Sequence, residues 1–557
     1  MISFKYNWTD ARKDVLAGLT VAAVAVPHAM AYALIAGVDP RFGLYSAVVV
    51  TAVASVFGSS SHLINGPTNA ISLVVFSAIS FIDPDARYDA FQAMFLLAAM
   101  AGAIQILVAV FRLGDLTRYV SESVVLGFMA GAGVLVAVGQ VSNLLGIRER
   151  GTGHQHLLVR LWHTLTEGGL PNPRALAIGL GTIVIIVVLR RLMQRYRLPK
   201  VDMLLALIAV SLVAAALGWS EPGPDGRTAL AIVGNVPASL PEPHVPEIRF
   251  WWVKEMSGGA LAIAFLGLME ALAVAKAIAH STGQQLDYNK QCLAEGLGNL
   301  VGGFFQCLPG SGSLTRSAIN FQAGAVSRVS GVVAAVAVAV LVLVFAPLAR
   351  HIPKAALSGL LFVVAARLID LRRLRYAFQA SRYDAGLVLT TALSAVFVSV
   401  EFSILIGVAI SILMFVPRAA RLRTWELVVS GERVVRERMP WDPHCNAMIL
   451  WGIEVELFFG AAPELERCFD GLRRRAEAER IRIIVLRLKR TRNPDMVCIE
   501  RLEHFLKDMQ HRGVTVLLCG IWPDLARCME NVGFQEWLGS DRIFLEEDEA
   551  DSATLKA

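Results

Sequence analysis

Residues 258–279 read GGALAIAFLGLMEALAVAKAIA, with Glu270 the sole acid in an otherwise almost purely apolar run. A helix rising 1.5 Å per residue needs about 20 apolar residues to cross the hydrocarbon layer, and this run supplies them. A carboxylate at that depth costs about 2.5 kcal/mol or more even on lenient insertion scales, so such residues face an internal cavity and mark a path for an ion or substrate. Glu270 is therefore the first candidate for function. A structural alternative is a permanent ion pair with Arg316 or Lys276. Lys276 lies six residues on, poorly placed on an ideal helix, which leaves Arg316 as the better partner.

The whole chain has the same character. Its 557 residues are 55% hydrophobic and only 18% charged, with mean hydropathy +0.55, values of a polytopic membrane protein. A clean span is SGVVAAVAVAVLVLVFAPLA at 330–349. Fourteen transmembrane segments are predicted, near 15–36, 43–58, 67–82, 91–111, 120–145, 174–192, 201–218, 257–279, 291–305, 314–326, 330–349, 355–369, 384–400 and 402–416. With the amino terminus inside, Arg12, Lys13, Arg112, Arg118, the basic run 190–200 and that at 372–382 fall in cytoplasmic loops, and Arg418, Arg421 and Arg423 close the last helix inside. Arg350 and Lys354 fall outside. Both termini are thus expected in the cytoplasm, and basic membrane borders explain the net charge of +6 without a nucleic-acid partner. Lys5, Arg12 and Lys13 lead into a long apolar segment without a cleavage pattern, which reads as an uncleaved helix. The seven cysteines form no CxxC pair, and those of the polar carboxyl-terminal part are expected to be buried hydrophobes; neither disulfide, metal nor cofactor is expected.

After Pro417 the pattern changes. Residues 1–420 form the expected transmembrane domain. Residues 424–550 alternate strand-like runs (MILWGIEVEL, IRIIVLRL, VTVLLC) with helical ones (ELERCFDGLRRRAEAE, CIERLEHFLKDM), an α/β order. Residues 546–557 open on an acidic stretch and read as a solvated or disordered tail.

The transmembrane part repeats itself. GLTVAAVAVPHAMAYALIAG is followed by the polar break INGPTNAIS, and the Glu270 segment is followed at similar distance by PGSGSLTRSAIN. Seven helices per half is odd, so the halves insert in opposite orientations, giving a 7+7 inverted repeat with a shared site near the midplane. Pro67 and Ser313 stand where short helices begin, and two half-helix amino termini pointing inward make an anion site from peptide dipoles and free N–H groups. Arg316 adds a full positive charge. The alternative is a pair of ordinary Gly/Ser loops with Arg316 at the lipid interface.

The runs GSGSLTRSAINFQAGA (310–325), FLGLMEALAVAKAIA (265–279), VPHAMAYALIAG (26–37), GPTNAIS (66–72) and SESVVLGF (121–128) resemble the sulfate permease (SulP) family, bacterial and plant relatives of the mammalian multifunctional anion exchangers. The soluble tail looks like that family's STAS domain. The resemblance implies a polytopic α-helical fold split into core and gate domains, with an elevator-like motion, a homodimer and a small cytoplasmic α/β STAS domain. It places the substrate-binding residues at His28, Tyr32, Pro67, Thr68, Asn69, Ser313, Leu314, Thr315 and Arg316, with Glu270 as the proton-coupling carboxylate.

The departures are informative. Relatives often carry Gln where this chain has His28, and an imidazole titrates near neutral pH; a neutral polar group doing the amide's hydrogen bonding is the plainer reading. Tyr32, four residues on, shares its helix face, with packing as the default role. Sodium-coupled bicarbonate members resemble an arrangement of Asp at position 270 with hydroxyls at 274 and 314; Val274 and Leu314 are aliphatic here, against a sodium site. In the STAS turn RTRNPDMVCIERL, Met496 stands where some relatives carry a phosphorylatable Ser. The expectation is a secondary active transporter of the inner or plasma membrane, not an enzyme, carrying sulfate or a small dicarboxylate with protons. The alternatives are a bicarbonate or chloride exchanger, a nucleobase-type proton symporter, and a membrane receptor signalling through its STAS domain, which has room for a protein partner.

Overall fold

The computed structural model describes residues 6–80, 82, 88–114, 121–150, 155–196, 201–219, 228–234, 237–345, 351–398, 400–443, 445, 447–547 and 552–557. The chain divides into two compact units, Met1–Ala409 and Ile410–Ala557. The helices of the first are, in order, α1 (Trp8–Ile35), α2 (Pro40–Phe57), α3 (Asn69–Ser80), α4 (Tyr88–Val110), α5 (Glu122–Gly139), α6 (Val141–Leu145), α7 (Leu157–Glu167), α8 (Pro173–Tyr196), α9 (Asp202–Ala216), α10 (Phe250–Thr282), α11 (Tyr288–Phe304), α12 (Leu314–Gln322), α13 (Val329–Phe345), α14 (Lys354–Leu368), α15 (Leu371–Ala380) and α16 (Arg382–Phe397), and α17 (Val400–Ala419) starts in it and runs on past the division. Set aside the short α6 and the amphipathic α7 and α15, and fourteen helices remain among the described residues, one at each expected segment. Among the described residues, seven helical spans are long and apolar enough to cross a membrane. Others are short, α3 at 12 residues and α12 at 9, because polar breaks stop them partway. Arg118, Arg350 and residues 197–200, assigned to loops from sequence, lie outside the described residues.

Local chemistry fixes the ends. Asp39 accepts from the Arg41 N–H ahead of Pro40, and Asp287 accepts from the Lys290 N–H, so α2 and α11 both start on a capping carboxylate. Small residues then let the helices close. A Cβ on Gly102 of α4 would meet the Leu300 N of α11 at 2.3 Å, and one on Gly303 would meet Phe95 O at 2.7 Å. Such contact is available to glycine alone.

The packing carries the repeat. Matching the fourteen helices in order pairs α1 with α10, α2 with α11, α3 with α12, α4 with α13, α5 with α14, α8 with α16 and α9 with α17. Under that exchange the packed pair α4 and α11 becomes α13 and α2, α1 and α13 becomes α10 and α4, α5 and α16 becomes α14 and α8, and α1 and α12 becomes α10 and α3; all of these pairs are in contact. Single residues follow. Gly127, sixth in α5, presses on Val388 O of α16 with 2.4 Å left for a Cβ, and Gly359, sixth in α14, presses on Gly179 O of α8 with the same 2.4 Å. The contacts also sort the helices: α1 to α4 pack with α10 to α13, while α5, α8, α9, α14 and α16 pack together.

The second unit is a six-stranded sheet in the order β2-β1-β3-β4-β5-β6. Its strands are β1 (Arg423–Val429), β2 (Val435–Glu437), β3 (Met448–Glu456), β4 (Ile483–Arg492), β5 (Thr515–Ile521) and β6 (Ile543–Leu545). β1 is antiparallel to β2 and β3, and β3 to β6 run parallel. The parallel crossings are made by α18 (Ala462–Glu479), α19 (Met496–His511) and then α20 (Pro523–Asn531) and α21 (Phe534–Leu538). Ile449, Ile453, Ile484, Leu486 and Leu518 alternate onto the face that packs against Phe469 and Leu472 of α18 and Leu502 and Phe505 of α19. Two expectations need correction. Residues 552–556 are not a solvated tail but a short helix, α22 (Ser552–Lys556), whose Ala553 is buried where β5 and β6 offer it a surface. Cys445 is exposed rather than a buried hydrophobe, because it lies in the irregular connection before β3.

Candidate functional site

Each polar break is made by residues that refuse a helix. Gly66 sits at φ +130°, in a region that L side chains rarely adopt, and Pro67 has no N–H to donate. The chain turns helical only at Asn69, where Thr68 O accepts from Ser72 N at 2.9 Å. The second break ends at Ser313, whose side chain accepts from Arg316 N at 3.5 Å and caps α12. The N–H groups of Leu314 and Thr315 have no acceptor among the described residues.

The two breaks pair with each other. Gly66 N donates to Ser311 O at 3.1 Å and Ser311 N returns a bond to Gly66 O at 2.9 Å, while Ser313 N reaches Ile64 O at 2.9 Å. They cross as a two-residue antiparallel ladder, so the starts of α3 and α12 are held side by side. Asn299 of α11 locks the second break, taking the Gly310 N–H on Oδ1 at 2.8 Å and donating Nδ2 to Gly310 O at 2.9 Å. Its amide also reaches Gln105 of α4 at 2.9 Å.

Charge converges on this crossing. Arg316 is buried; its Nη2 donates to Pro67 O at 2.9 Å, and Nη1 and Nε have no partner among the described residues. Two buried guanidinium nitrogens, with three N–H groups between them, are thus left without an acceptor among the described residues. Glu270 does not form an ion pair with Arg316 among the described residues, and Lys276 is exposed. Instead Ser311 Oγ donates to Glu270 Oε2 at 2.9 Å and Thr68 Oγ1 at 3.2 Å, one hydroxyl from each break.

The remaining expected residues divide. His28 of α1 is buried, with Nε2 3.0 Å from Met203 Sδ of α9 and Nδ1 unpartnered, and Tyr32 stacks on it at 5.6 Å between centroids. A cavity of about 540 Å³ opens beside them, lined by His28, Leu314, Thr315, Arg190, Asp202 and Arg367 among others. Thr315 and Leu314 face it, so the free N–H end of α12 is reachable from the cavity. Asn69 Oδ1 accepts from Ala70 N at 2.8 Å. Val274 lies in an apolar cluster with Leu63, Ala271, Ala275 and Ile278. Sequence reading missed Ser311, Asn299 and Gln105. Ser311 lay inside the quoted break, and its closeness to Glu270 depends on how two distant segments cross.

Residues 12–391 match the model of the Sulfate permease family, and residues 446–550 that of the STAS domain. The chain belongs to the sulfate permease family. Among relatives, it is 28% identical over 548 residues to the putative sulfate transporter YvdB of Bacillus subtilis (strain 168), covering 98% of each chain. It is 26% identical to high affinity sulfate transporter 2 of Stylosanthes hamata, covering 97% of this chain and 83% of that one. The murine Solute Carrier 26 family member A9 anion transporter, solved in an inward-facing state, superposes with a TM-score of 0.89 at 20% identity over 98% of this chain and 91% of that one. The transmembrane domain of the cyanobacterial bicarbonate transporter BicA gives 0.60 at 25% identity over 73% and 98%. The family is one of membrane transporters, not enzymes, and the inverted-repeat helical fold with its STAS domain is that of the structural relatives.

Proposed function

We propose that the protein is a proton-coupled secondary transporter of a small oxyanion, sulfate or a dicarboxylate first, in the inner or plasma membrane. The observation that carries this is the buried Arg316 guanidinium with two unpartnered nitrogens, set between the paired starts of α3 and α12 and next to the hydroxyl-held Glu270. An oxyanion supplies the missing acceptors and meets the free N–H groups of α12. Glu270 takes a proton as the anion loads, which offsets charge during translocation. The curated relatives named as sulfate transporters support sulfate as the cargo.

Translocation carries α1 to α4 and α10 to α13 as a core against α5, α8, α9, α14 and α16, in the manner of an elevator, with two copies of the chain forming a dimer. Arg190, at the head of the basic run assigned to the cytoplasm, and Arg367 border the 540 Å³ cavity, and in this reading the cavity opens to the cytoplasm. The test is radiolabelled sulfate uptake into proteoliposomes with inside pH held at neutral and outside pH lowered, wild type against Glu270→Gln. Uptake that rises with the proton gradient and is lost in the variant supports the reading. Uptake indifferent to both removes Glu270 from the mechanism, and absence of sulfate uptake with flux of bicarbonate or chloride replaces the cargo.

A further inference from the structure

A second carboxylate is buried in the same core. Glu295 of α11 is 0% exposed and makes no ion pair among the described residues. α11 packs against α2, α4 and α10, and of the charged groups on those helices Glu270 is the one whose charge acts on Glu295. Gln291 Nε2 donates to Oε1 at 3.0 Å, and the Asn65 side chain acts on the carboxyl too, while Oε2 and Asn65 Nδ2 are both buried without a hydrogen-bond partner among the described residues. Two amide groups suit a carboxylate, while burial without a countercharge and a like charge close by suit the neutral acid. Such balance belongs to a group that changes its protonation state, and a structural role alone leaves the unpaired Oε2 and Asn65 Nδ2 unexplained.

Its position links it to the transport site. The break 65–68 has Glu295 at its Asn65 end and Glu270 at its Thr68 end. On the other side Gln291 Oε1 accepts from Ser59 N at 2.9 Å and Ser60 N at 3.1 Å, and Gln284 Nε2 donates to Ser59 O at 2.8 Å; Ser59 and Gln284 are half-buried, so polar groups lead from Glu295 to the loop surface. We propose that Glu295 is a second proton-carrying carboxylate, so that a dianion moves with two protons, one on Glu270 and one on Glu295.

The charges balance. On loading, each carboxylate takes one proton and the dianion joins Arg316, leaving the site at net −1; on release of the anion and both protons, two carboxylates and Arg316 again sum to −1. The core carries the same charge in both directions, so the cycle is electroneutral with a dianion. This rests on the proton-coupled reading above. The experiment finds the pH gradient that just balances a tenfold sulfate gradient in proteoliposomes clamped at zero potential with potassium and valinomycin. Two protons are balanced by about half a pH unit, one by about a full unit. Wild type is expected at the half unit, indifferent to imposed potential, and Glu295→Gln at the full unit, with uptake driven by inside-positive potential. A full unit in wild type, or the same balance point in Glu295→Gln, overturns the inference while the proton-coupled reading stands. If the variant fails to insert, the wild-type balance point decides alone. Wild-type uptake that ignores the proton gradient overturns both.

Discussion

Ser311 and Thr68 both donate to Oε2 of Glu270, and Oε1 has no hydrogen-bond partner among the described residues. One oxygen is fixed and the other is open to a proton. Hydrogen bonds to a charged group contribute about 1.5–3 kcal/mol, or roughly ten- to hundredfold in a rate that depends on them. Ser311→Ala and Thr68→Val are therefore each expected to lower initial sulfate uptake, with Ser311→Ala the larger because its bond is shorter and its side chain fully buried. Equal rates for wild type and both variants would show that the hydroxyls do not set the state of Glu270. Glu270 was legible in the sequence because an acid contrasts with an apolar run. Glu295 was not, since Lys290, Gln291 and Asn299 make its own segment polar throughout.

At the scale of elements, the crossing of the breaks brings backbone hard against backbone. A Cβ on Gly310 would lie 2.5 Å from Gly66 O, and that neighbour is backbone, which cannot rotate away. Gly310→Ala is expected to cost about 1–3 kcal/mol as overpacking, seen as a lower unfolding temperature in detergent and as loss of the stabilisation that added anion gives. An unchanged midpoint with anion response intact would mean that the breaks are not held together as described. In the STAS unit, Arg436 donates to Asp442 at 2.5 and 2.6 Å and Met439 N at 2.7 Å, and the Arg436 bonds with that N–H hold the Asp442 carboxyl down at about 2. A carboxyl held below its unfolded value of about 3.9 stabilises the fold above that value, and the contribution is lost as pH falls through the lower one. Hydrogen-exchange protection at Met439, taken relative to the intrinsic rate at each pH, is expected to be high at neutral pH and to fall between about pH 4 and about pH 2, whereas Asp442→Asn lowers it at neutral pH. The hairpin of β1 and β2 was not legible in advance, because WELVV and VRE are too short and too mixed to stand out beside the three apolar strands. The fourteen helices were, because apolar length is a property of each segment alone, while which break meets which is a property of the pair.

At the scale of the whole transmembrane unit, the cavity predicts access from one side. Leu314 lines it and is 59% exposed. In a background lacking the native cysteines, Leu314→Cys is expected to react with a charged thiol reagent applied from the cytoplasmic side, with saturating sulfate slowing the reaction. Labelling from the opposite side at equal rate would contradict the cytoplasmic opening. The exchange of the two halves, under which the helix neighbours map onto themselves, reaches further. Under the proposed elevator motion, each half taking the other's local shape would close the cavity between α1, α8, α9, α12 and α14 and open a counterpart among α10, α16, α17, α3 and α5 on the far face. The opposite-facing state would then reuse, by a two-fold exchange, arrangements that this chain already holds.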